Sequence, residues 1–199
     1  MFYWVDGDGM ADVSLTGLPP QFAAEYAARM EQADPSNVHR LVATGASVTH
    51  FSRPRPEFSR DALVFGGFLN RYGAVDVIDL LFRAGGDAVA GIGIIKMRGD
   101  AAAGKVELAQ ARAIQRFVEF GLQGHERVLN RLRPGRAMRA YRLTRREWEI
   151  ADMAAQGVAN REIAARLGLS THTVKSHLLH VFCKTGSANR TALAAKLYL

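Results

Sequence analysis

Residues 143–196 read LTRREWEIADMAAQGVANREIAARLGLSTHTVKSHLLHVFCKTGSANRTALAAK. This stretch contains three short amphipathic segments that are separated by two tight turns. The third segment has an apolar stripe on one side and basic and polar residues on the other. An amphipathic helix, a turn and a second helix with a cationic exposed face form the pattern typical of a helix-turn-helix DNA-binding domain.

Local signals predict where the first two helices of this stretch begin and end. Thr144 and Glu147 have the spacing of a capping box, in which each side chain satisfies an amide of the other residue's backbone. Gly157 stands where a helix commonly ends in the left-handed conformation. We expect Asn160 to be the N-cap of the second helix and Gly168 to end it, because a residue without Cβ turns sharply at little cost.

The third helix is predicted to begin after Ser170 and to present two different faces. At 100° per residue, Val174, Leu178 and Val181 fall on one side and are expected to be buried. The opposite side carries His172, Lys175, Ser176, Leu179 and His180. A helix of this kind fits the major groove, which is about 12 Å wide, and contacts base edges from its N-terminal half.

Individual residues of this helix suit different parts of a duplex. Lys175 is the strongest candidate for a base contact. Ser170, Thr171 and Thr173 lie at the positive end of the helix dipole, where hydroxyl and backbone donors can hold phosphate oxygens.

These residues closely resemble the C-terminal domain of LuxR-family transcription regulators. The resemblance rests on LTRRE (143–147), NREIA (160–164), the LS pair (169–170), TVKSH (173–177) and on Gly157, Lys184 and Arg190. It implies that Lys175, Ser176 and Leu179 face the bases, and it extends the DNA-binding set to His172, Thr173, Arg161 and Lys184. It also implies a fourth helix, from about Asn189 to Leu197, as the dimer contact. Candidates there are Thr191, Ala194, Ala195 and Tyr198.

The chain departs from the family pattern at four positions. Thr185 and Ser187 replace a core leucine and a core valine, whose loss costs roughly 1 to 3 kcal/mol each unless neighbours fill the space. Trp148 replaces a polar residue, so we expect it to cover an interdomain or dimer surface. Leu179 is apolar where relatives are often basic, and it can contact a thymine methyl group but cannot pair with guanine.

Positive charge is concentrated in the same part of the chain. Residues 131–199 contain 13 Lys and Arg against 4 Asp and Glu, a balance of +9. Residues 1–130 contain 13 Lys and Arg against 15 Asp and Glu, a balance of −2. Together the two parts give the net charge of +7. We predict a basic linker at 131–141, whose arginines lie around the Pro134 and Gly135 break. Near a duplex, such a run displaces counterions and makes binding salt-dependent. The alternative is a basic but merely solvated linker.

Length and composition favour two small domains. At 199 residues and 48% hydrophobic content, the chain is long enough for a core in each part. The opening MFYWV is too short for a membrane span and has no basic segment before it, so we expect neither a signal peptide nor a membrane partner. The single cysteine, Cys183, fits a reducing cytoplasm.

The first 130 residues predict a mixed α and β domain. The expected elements are strands at 2–5 and 11–16, a helix at 19–30, a loop at RPRPE (53–57), a helix from Ser59 to Tyr72, a hairpin of 74–83 and 88–98, and a long helix at 105–132. The order is compatible with a PAS- or GAF-like sensor. The predicted class is therefore α+β, with an N-terminal antiparallel sheet flanked by helices and a C-terminal all-α four-helix domain. Its parts are a sensor domain (1–130), the linker (131–141) and the DNA-binding domain (142–199).

The resemblance also implies an autoinducer pocket of the kind found in quorum-sensing members. Phe22, Tyr26, Asp34 and Phe51 are the ligand-binding candidates, with Asp34 as the acceptor of a ligand amide hydrogen. An acyl-homoserine lactone, another small ligand and no ligand at all remain open. Tyr26 is better explained as a core aromatic residue than as a pocket residue.

Other classes of protein fit the sequence poorly. A phosphorylated receiver domain needs an acceptor Asp near residue 50, and no Asp occurs between Pro35 and Arg60. The six histidines and Cys183 show neither metal spacing nor a nucleophile motif, so we expect no catalysis, no metal and no cofactor. The sequence therefore predicts a cytoplasmic, homodimeric transcription regulator that binds double-stranded DNA and has RNA polymerase as a possible partner. The alternative is a ligand-independent orphan regulator whose N-terminal domain binds another protein.

Overall fold

The computed structural model describes residues 1–7, 9–52 and 59–198. It consists of two compact units, Met1–His125 and Glu126–Leu199. The loop predicted at 53–57 lies outside the described residues.

The first unit is built on a five-stranded antiparallel sheet. Its strands are β1 (Phe2–Asp6), β2 (Gly9–Ser14), β3 (Val48–Phe51), β4 (Ala74–Ala84) and β5 (Asp87–Met97). Their order across the sheet is β2-β1-β5-β4-β3, and every neighbouring pair is antiparallel. The long β4–β5 hairpin turns at Gly85 and Gly86, both with positive φ, a conformation that glycine adopts without steric cost.

In the described part of the first unit, four α-helices accompany the sheet. They are α1 (Pro20–Glu25), which continues as a π-helical turn (Tyr26–Met30), α2 (Val38–Thr44), α3 (Arg60–Arg71) and α4 (Lys105–Leu122). The predicted N-cap of α3 is confirmed, because the Ser59 side chain accepts a hydrogen bond from the amide of Ala62. Asn37 caps α2 in the same way.

The core of the first unit forms where these helices meet β4. Nearly every residue of β4 is buried, and since successive side chains of a strand point to opposite faces, the strand is covered on both sides. Phe22, Tyr26, Phe65 and Phe68 pack with Val77 of β4 in one cluster. On α4, Ala111 and Gln115 are buried, and this helix contacts β4 and β3.

Several elements of the first unit differ from the sequence-based expectation. Helix α2 and strand β3 were not predicted, because both are too short to show a periodic pattern. The long helix expected at 105–132 is two helices, since α4 ends at Leu122 and α5 (Glu126–Tyr141) begins after Gly124. A glycine interrupts a helix readily because it gives up the most backbone freedom there.

The expected linker at 131–141 is helical and belongs to the second unit. It forms most of α5, which passes through Pro134. Leucine, alanine and arginine favour helix, and Ala137 is buried in the same cluster as the C-terminal helices. Packing on that cluster explains why the Pro134 and Gly135 break does not end the helix.

The second unit consists of α5 followed by α6 (Arg145–Ala155), α7 (Asn160–Leu167), α8 (Thr171–Thr185) and α9 (Arg190–Tyr198). Ile150, Ile163, Val174, Val181 and Leu193, which come from all four of the last helices, are fully buried. The predicted α+β class, with a sheet and helices first and an all-helical part after, is confirmed, and α5 joins the four expected helices in the second unit. Within the described ranges, none of the helices has the length and apolar content needed to cross a bilayer.

The expectation for Trp148 is wrong. The side chain is 8% exposed and belongs to the core of the second unit, so it does not cover a free surface. The partly buried Met138 and Tyr141 of α5 pack against the same core, and this added helix explains how the fold accommodates a large apolar residue on α6.

Candidate nucleic-acid interface

Helix α8 begins at a fully formed N-cap. The Ser170 hydroxyl accepts a hydrogen bond from the amide of Thr173 at 3.0 Å and lies 2.8 Å from the Thr173 hydroxyl. Thr171 is exposed at the first position of the helix. The hydroxyls proposed to hold phosphate oxygens thus lie together at the positive end of the helix dipole, where anions are favoured.

The two predicted faces of α8 are confirmed. Val174, Leu178 and Val181 are buried, which fixes the rotation of the helix against the rest of the unit. The side chains on the opposite face are exposed, and Leu179 is 62% exposed. This exposed face contains His172, Lys175, Ser176, Leu179 and His180.

A hydrogen-bonded pair replaces the apolar residues missing from the end of α8. Thr185 and Ser187 are 3% and 7% exposed. The Thr185 hydroxyl donates to the carbonyl of Val181 at 2.8 Å and is hydrogen-bonded to the Ser187 hydroxyl at 2.9 Å. Because buried polar groups are tolerated when they are paired, this arrangement compensates for the lost branched side chains.

Lys184 contacts its own domain. Its Nζ lies 2.7 Å from Glu147 Oε2 and donates to the carbonyl of Arg142 at 3.1 Å. Glu147 also accepts from the amide of Thr144, as the capping box predicts. Burial opposes ionisation of Glu147, but the hydrogen bonds from Lys184 and Thr144 outweigh it and lower the pKa of the carboxyl to about 2. Lys184 therefore joins α8 to the start of α6, and its contact with DNA stays a prediction.

Arg190 has a similar internal role and explains one wrong expectation. Its guanidinium donates to the carbonyl of Val158 and to the side chain of Asn160. Asn160 is consequently the first residue of α7 and not its N-cap; the N-cap is Ala159, which makes no side-chain hydrogen bond. Arg161, the next residue, is exposed as its predicted DNA contact requires.

The residues proposed for dimerisation lie on α9. Thr191 and Ala195 are exposed, while Ala194 is half-buried. Tyr198 is engaged within the unit, because its hydroxyl donates to Asp152 Oδ1 at 2.6 Å and the guanidinium of Arg133 lies 4.3 Å from its ring centroid. Its part in a dimer contact stays a prediction.

Helix α5 adds cations that the sequence placed in a linker. Arg133, Arg136 and Lys196 line one groove between α5 and α9, together with Tyr141 and Tyr198. Among the described residues that line this groove are three cations and no Asp or Glu side chain. Such a surface attracts phosphate groups at long range.

The ligand candidates of the first unit are mainly core residues. The Tyr26 hydroxyl donates to Asp34 Oδ2 at 2.7 Å, and the amide of Ser36 donates to Asp34 Oδ1 at 2.7 Å. Burial raises the pKa of Asp34, although these two hydrogen bonds oppose the shift. Asp34 thus has partners from its own chain in place of the ligand amide that we expected, and Phe22 is 2% exposed.

Phe51 is the one ligand candidate that lines a described pocket. The pocket has a volume of about 460 Å³ and is open to solvent, with Leu69 and Ala74 among its other lining residues. Phe22, Tyr26 and Asp34 do not line it. Within 1–7, 9–52 and 59–198, no group of three or more His, Cys, Asp or Glu side chains is placed to hold a metal ion.

Comparison with known proteins matches the second unit to regulators. The family model of bacterial regulatory proteins of the luxR family matches residues 141–197. The monoamine regulon transcriptional regulator of Klebsiella aerogenes is 42% identical over 57 residues, 29% of this chain and 25% of that protein. The HTH-type quorum sensing-dependent transcriptional regulator RpaR of Rhodopseudomonas palustris is 41% identical over 86 residues, 43% of this chain and 34% of that protein.

Among solved structures, the chain matches that of Escherichia coli SdiA. The match covers 92% of this chain and 73% of that chain, at 17% identity and a TM-score of 0.40.

The buried stripe and exposed face of α8, preceded by α7 and a tight turn, define a helix-turn-helix domain. Residues 141–197 are a helix-turn-helix domain of the LuxR family. The matched relatives are named as transcriptional regulators and not as enzymes. The chain spans only 25% and 34% of the length of these two relatives.

Proposed function

We propose that this chain is a sequence-specific DNA-binding transcription regulator, in which α8 reads base edges from the major groove. The observation that supports it most directly is the exposed face of α8. Lys175, Ser176 and Leu179 project from a helix whose opposite side is fixed in the core. In a helix-turn-helix domain, base contacts come from residues on this face of the second helix.

The role of each side chain follows from its chemistry. Lys175 donates to guanine O6 and N7, and Leu179 contacts a thymine methyl group. Ser170, Thr171 and Thr173 hold the phosphate that faces the start of α8, and Arg161 contacts the backbone from α7. These contacts position the domain, whereas the base contacts provide the sequence preference.

The working form is a homodimer. A two-fold axis relates the two DNA-binding domains, so the DNA operator contains paired half-sites with centres about 10 base pairs apart. The exposed residues of α9, Thr191 and Ala195, provide a contact between the two DNA-binding domains.

The first unit regulates the relative placement of the two DNA-binding domains of the dimer in response to a signal. A small ligand beside the sheet, of the kind that quorum-sensing regulators bind, is one candidate signal. The second candidate is a partner protein, bound by the first unit without any small ligand. The internal hydrogen bonds of Asp34 and Tyr26 favour this candidate, since both side chains already have partners. RNA polymerase as a partner and a cytoplasmic location remain expectations.

The proposal is tested by selecting duplexes from a random library with the full chain and measuring affinity as a function of salt. We expect an enriched palindromic sequence, and a negative slope of log K against log salt of about 0.9 per phosphate contacted. An exposed basic surface without a reading function would bind all duplexes alike. The absence of enrichment at low salt would therefore contradict sequence-specific recognition.

A further inference from the structure

A groove of the first unit lies between helix α4 and the start of strand β3. Its volume is about 300 Å³, and it is open to solvent. The described residues that line it are Ser47, Val48, Arg112, Gln115 and Arg116, and they include none of those assigned above to DNA or to a ligand. We call it the α4–β3 groove.

Two arginines give the α4–β3 groove its charge. Arg112 and Arg116 are one helical turn apart on α4, and both side chains are exposed. Like charges at this spacing repel each other on a helix. Within the described part of the chain, neither arginine forms an ion pair. A bound anion would therefore relieve a repulsion that the protein itself leaves in place.

The packing of α4 holds these two arginines beside β3. Ala111 and Gln115, which directly precede them in the chain, are buried, and α4 contacts both β4 and β3. The Gln115 side chain donates to the carbonyl of Leu81 at 2.9 Å. A rotation of α4 that moved Arg112 and Arg116 away from the groove would break this hydrogen bond and expose Ala111.

A third guanidinium group lies next to the groove and orients Ser47. Arg83 donates to the Ser47 hydroxyl at 2.8 Å and to the carbonyls of Leu41 and Ala46 at 3.1 and 3.3 Å. These three acceptors are neutral, so they leave the positive charge of Arg83 in place. Because the Ser47 oxygen accepts from Arg83, the proton of this hydroxyl is left to be donated to a ligand.

Glu119 is the carboxylate next to this cluster, and its contacts are with other groups. Its Oε2 accepts from the backbone amide of Arg83 at 2.6 Å and from the Gln115 side chain at 2.9 Å. Among the described residues of these contacts, three guanidinium groups thus accompany one carboxylate. The surroundings of the groove are cationic, and two of the three guanidinium groups line it.

We propose that the α4–β3 groove binds the phosphate group of a small phosphorylated molecule. Such a group carries a charge of about −1.5 to −2 at pH 7 and three acceptor oxygens, which suit two guanidinium groups and one hydroxyl. Arginine commonly binds phosphate through two parallel hydrogen bonds. A volume of about 300 Å³ is at the lower end of the range for small-molecule sites. Tyr26 and Asp34 do not line this groove, and binding to it does not depend on DNA recognition by α8.

The test is a titration of the full chain with inorganic phosphate, followed by ¹H–¹⁵N NMR at an ionic strength kept constant with chloride. We expect the backbone amides of Ser47 and Val48 to shift saturably, with a dissociation constant of about 1 mM or tighter. Arg112→Gln combined with Arg116→Gln should weaken this binding at least tenfold, because charge-assisted hydrogen bonds to the phosphate are lost.

The matched control is Arg29→Gln combined with Arg60→Gln. It removes the same charge from two other exposed arginines of the first unit, so the dissociation constant should stay that of the wild type. Equal weakening in the two double variants would show general attraction between charges and overturn the proposal. Amides of Ser47 and Val48 that do not shift at about 20 mM phosphate would overturn it as well.

The phosphates of DNA are a second source of the same chemistry, so the same amides are followed with a short duplex in place of free phosphate. We expect Ser47 and Val48 to respond to free phosphate and not to the duplex. A larger shift with the duplex, at equal phosphate concentration, would assign the groove to DNA and contradict a small-molecule site. Duplex affinity is measured separately, so failure of this site is distinguishable from failure of DNA recognition.

Discussion

Glu147 connects two segments of the second unit through one carboxylate. It accepts from the amide of Thr144 and pairs with Lys184, so it holds the start of α6 against α8. The capping-box spacing of Glu147 is a local signal and is visible in the sequence. Lys184 was predicted to contact DNA. Its hydrogen bond with Glu147 spans 37 positions of the chain, and no local pattern in the sequence indicates it.

We expect Glu147→Gln to lower the free energy of unfolding by about 1–2 kcal/mol at pH 7, because hydrogen bonds to a charged group are lost. The pKa of Glu147 is lowered from 4.5 to about 2 in the folded chain, so its contribution is complete above about pH 4.5 and is lost as the pH falls towards 2. The difference between variant and wild type, measured by urea unfolding, should shrink over that interval.

The matched control for this prediction is Glu162→Gln. Glu162 forms an exposed ion pair with Arg166, and such pairs contribute roughly 0–1 kcal/mol. Equal losses in the two variants, or a loss in Glu147→Gln that persists unchanged at pH 2, would contradict the account of Glu147.

Thr185 and Ser187 form a second residue-scale prediction. Thr185→Val leaves the buried Ser187 hydroxyl without its partner and should cost about 1–3 kcal/mol. Thr185→Val combined with Ser187→Ala removes both hydroxyls and should cost less than Thr185→Val alone. Chemical unfolding of the full chain measures both; strictly additive losses would show that the pair is not coupled.

At the scale of elements, the ends of the helices in the second unit were largely predictable from the sequence. The contacts of these helices with distant parts of the chain were not. Caps and turns involve backbone groups only a few positions away in the chain. The roles of Ser170, Gly157 and Gly168 are therefore visible in the sequence. The start of α7 was placed one residue late, because Asn160 is engaged by Arg190 from a distant helix. The prediction for Trp148 was wrong because its burial depends on the packing of α5 against the core, which is a tertiary contact and leaves no local signal.

The turn between α7 and α8 gives a prediction at this scale. Gly168 has φ of +63° with no atom near the position of an added Cβ, so Gly168→Ala should cost about 1 kcal/mol through backbone strain alone. Gly67 in α3 has equally open surroundings and no positive φ. Gly67→Ala should therefore stabilise by roughly 0.5–1 kcal/mol. Thermal unfolding distinguishes the two, and a change of the same sign in both would contradict the argument.

The whole molecule combines a nearly neutral first unit with a cationic second one. Residues 126–199 contain 14 Lys and Arg against 5 Asp and Glu, and residues 1–125 contain 12 against 14. This asymmetry is visible in the sequence, because charge counts need no structure. The helical position of Arg133, Arg136 and Arg139 is not, since it depends on packing against α6 and α9.

We expect the cations of α5 to support binding of any duplex equally. Arg136→Gln with Arg139→Gln should weaken specific and nonspecific binding by the same factor and reduce the salt slope by about 1 to 2. Fluorescence anisotropy at several salt concentrations measures both quantities. Arg112→Gln with Arg116→Gln on α4 removes the same charge from the first unit and is the control. A loss confined to one sequence would mean that α5 reads bases.

DNA reading by α8 through Lys175 is tested by measuring the affinity of Lys175→Ala for the selected operator and for a scrambled duplex. We expect a loss of about 1–3 kcal/mol on the operator, with relaxed preference at one base pair and little change on the scrambled duplex. Unchanged affinity and preference, in a variant that unfolds like the wild type, would contradict it.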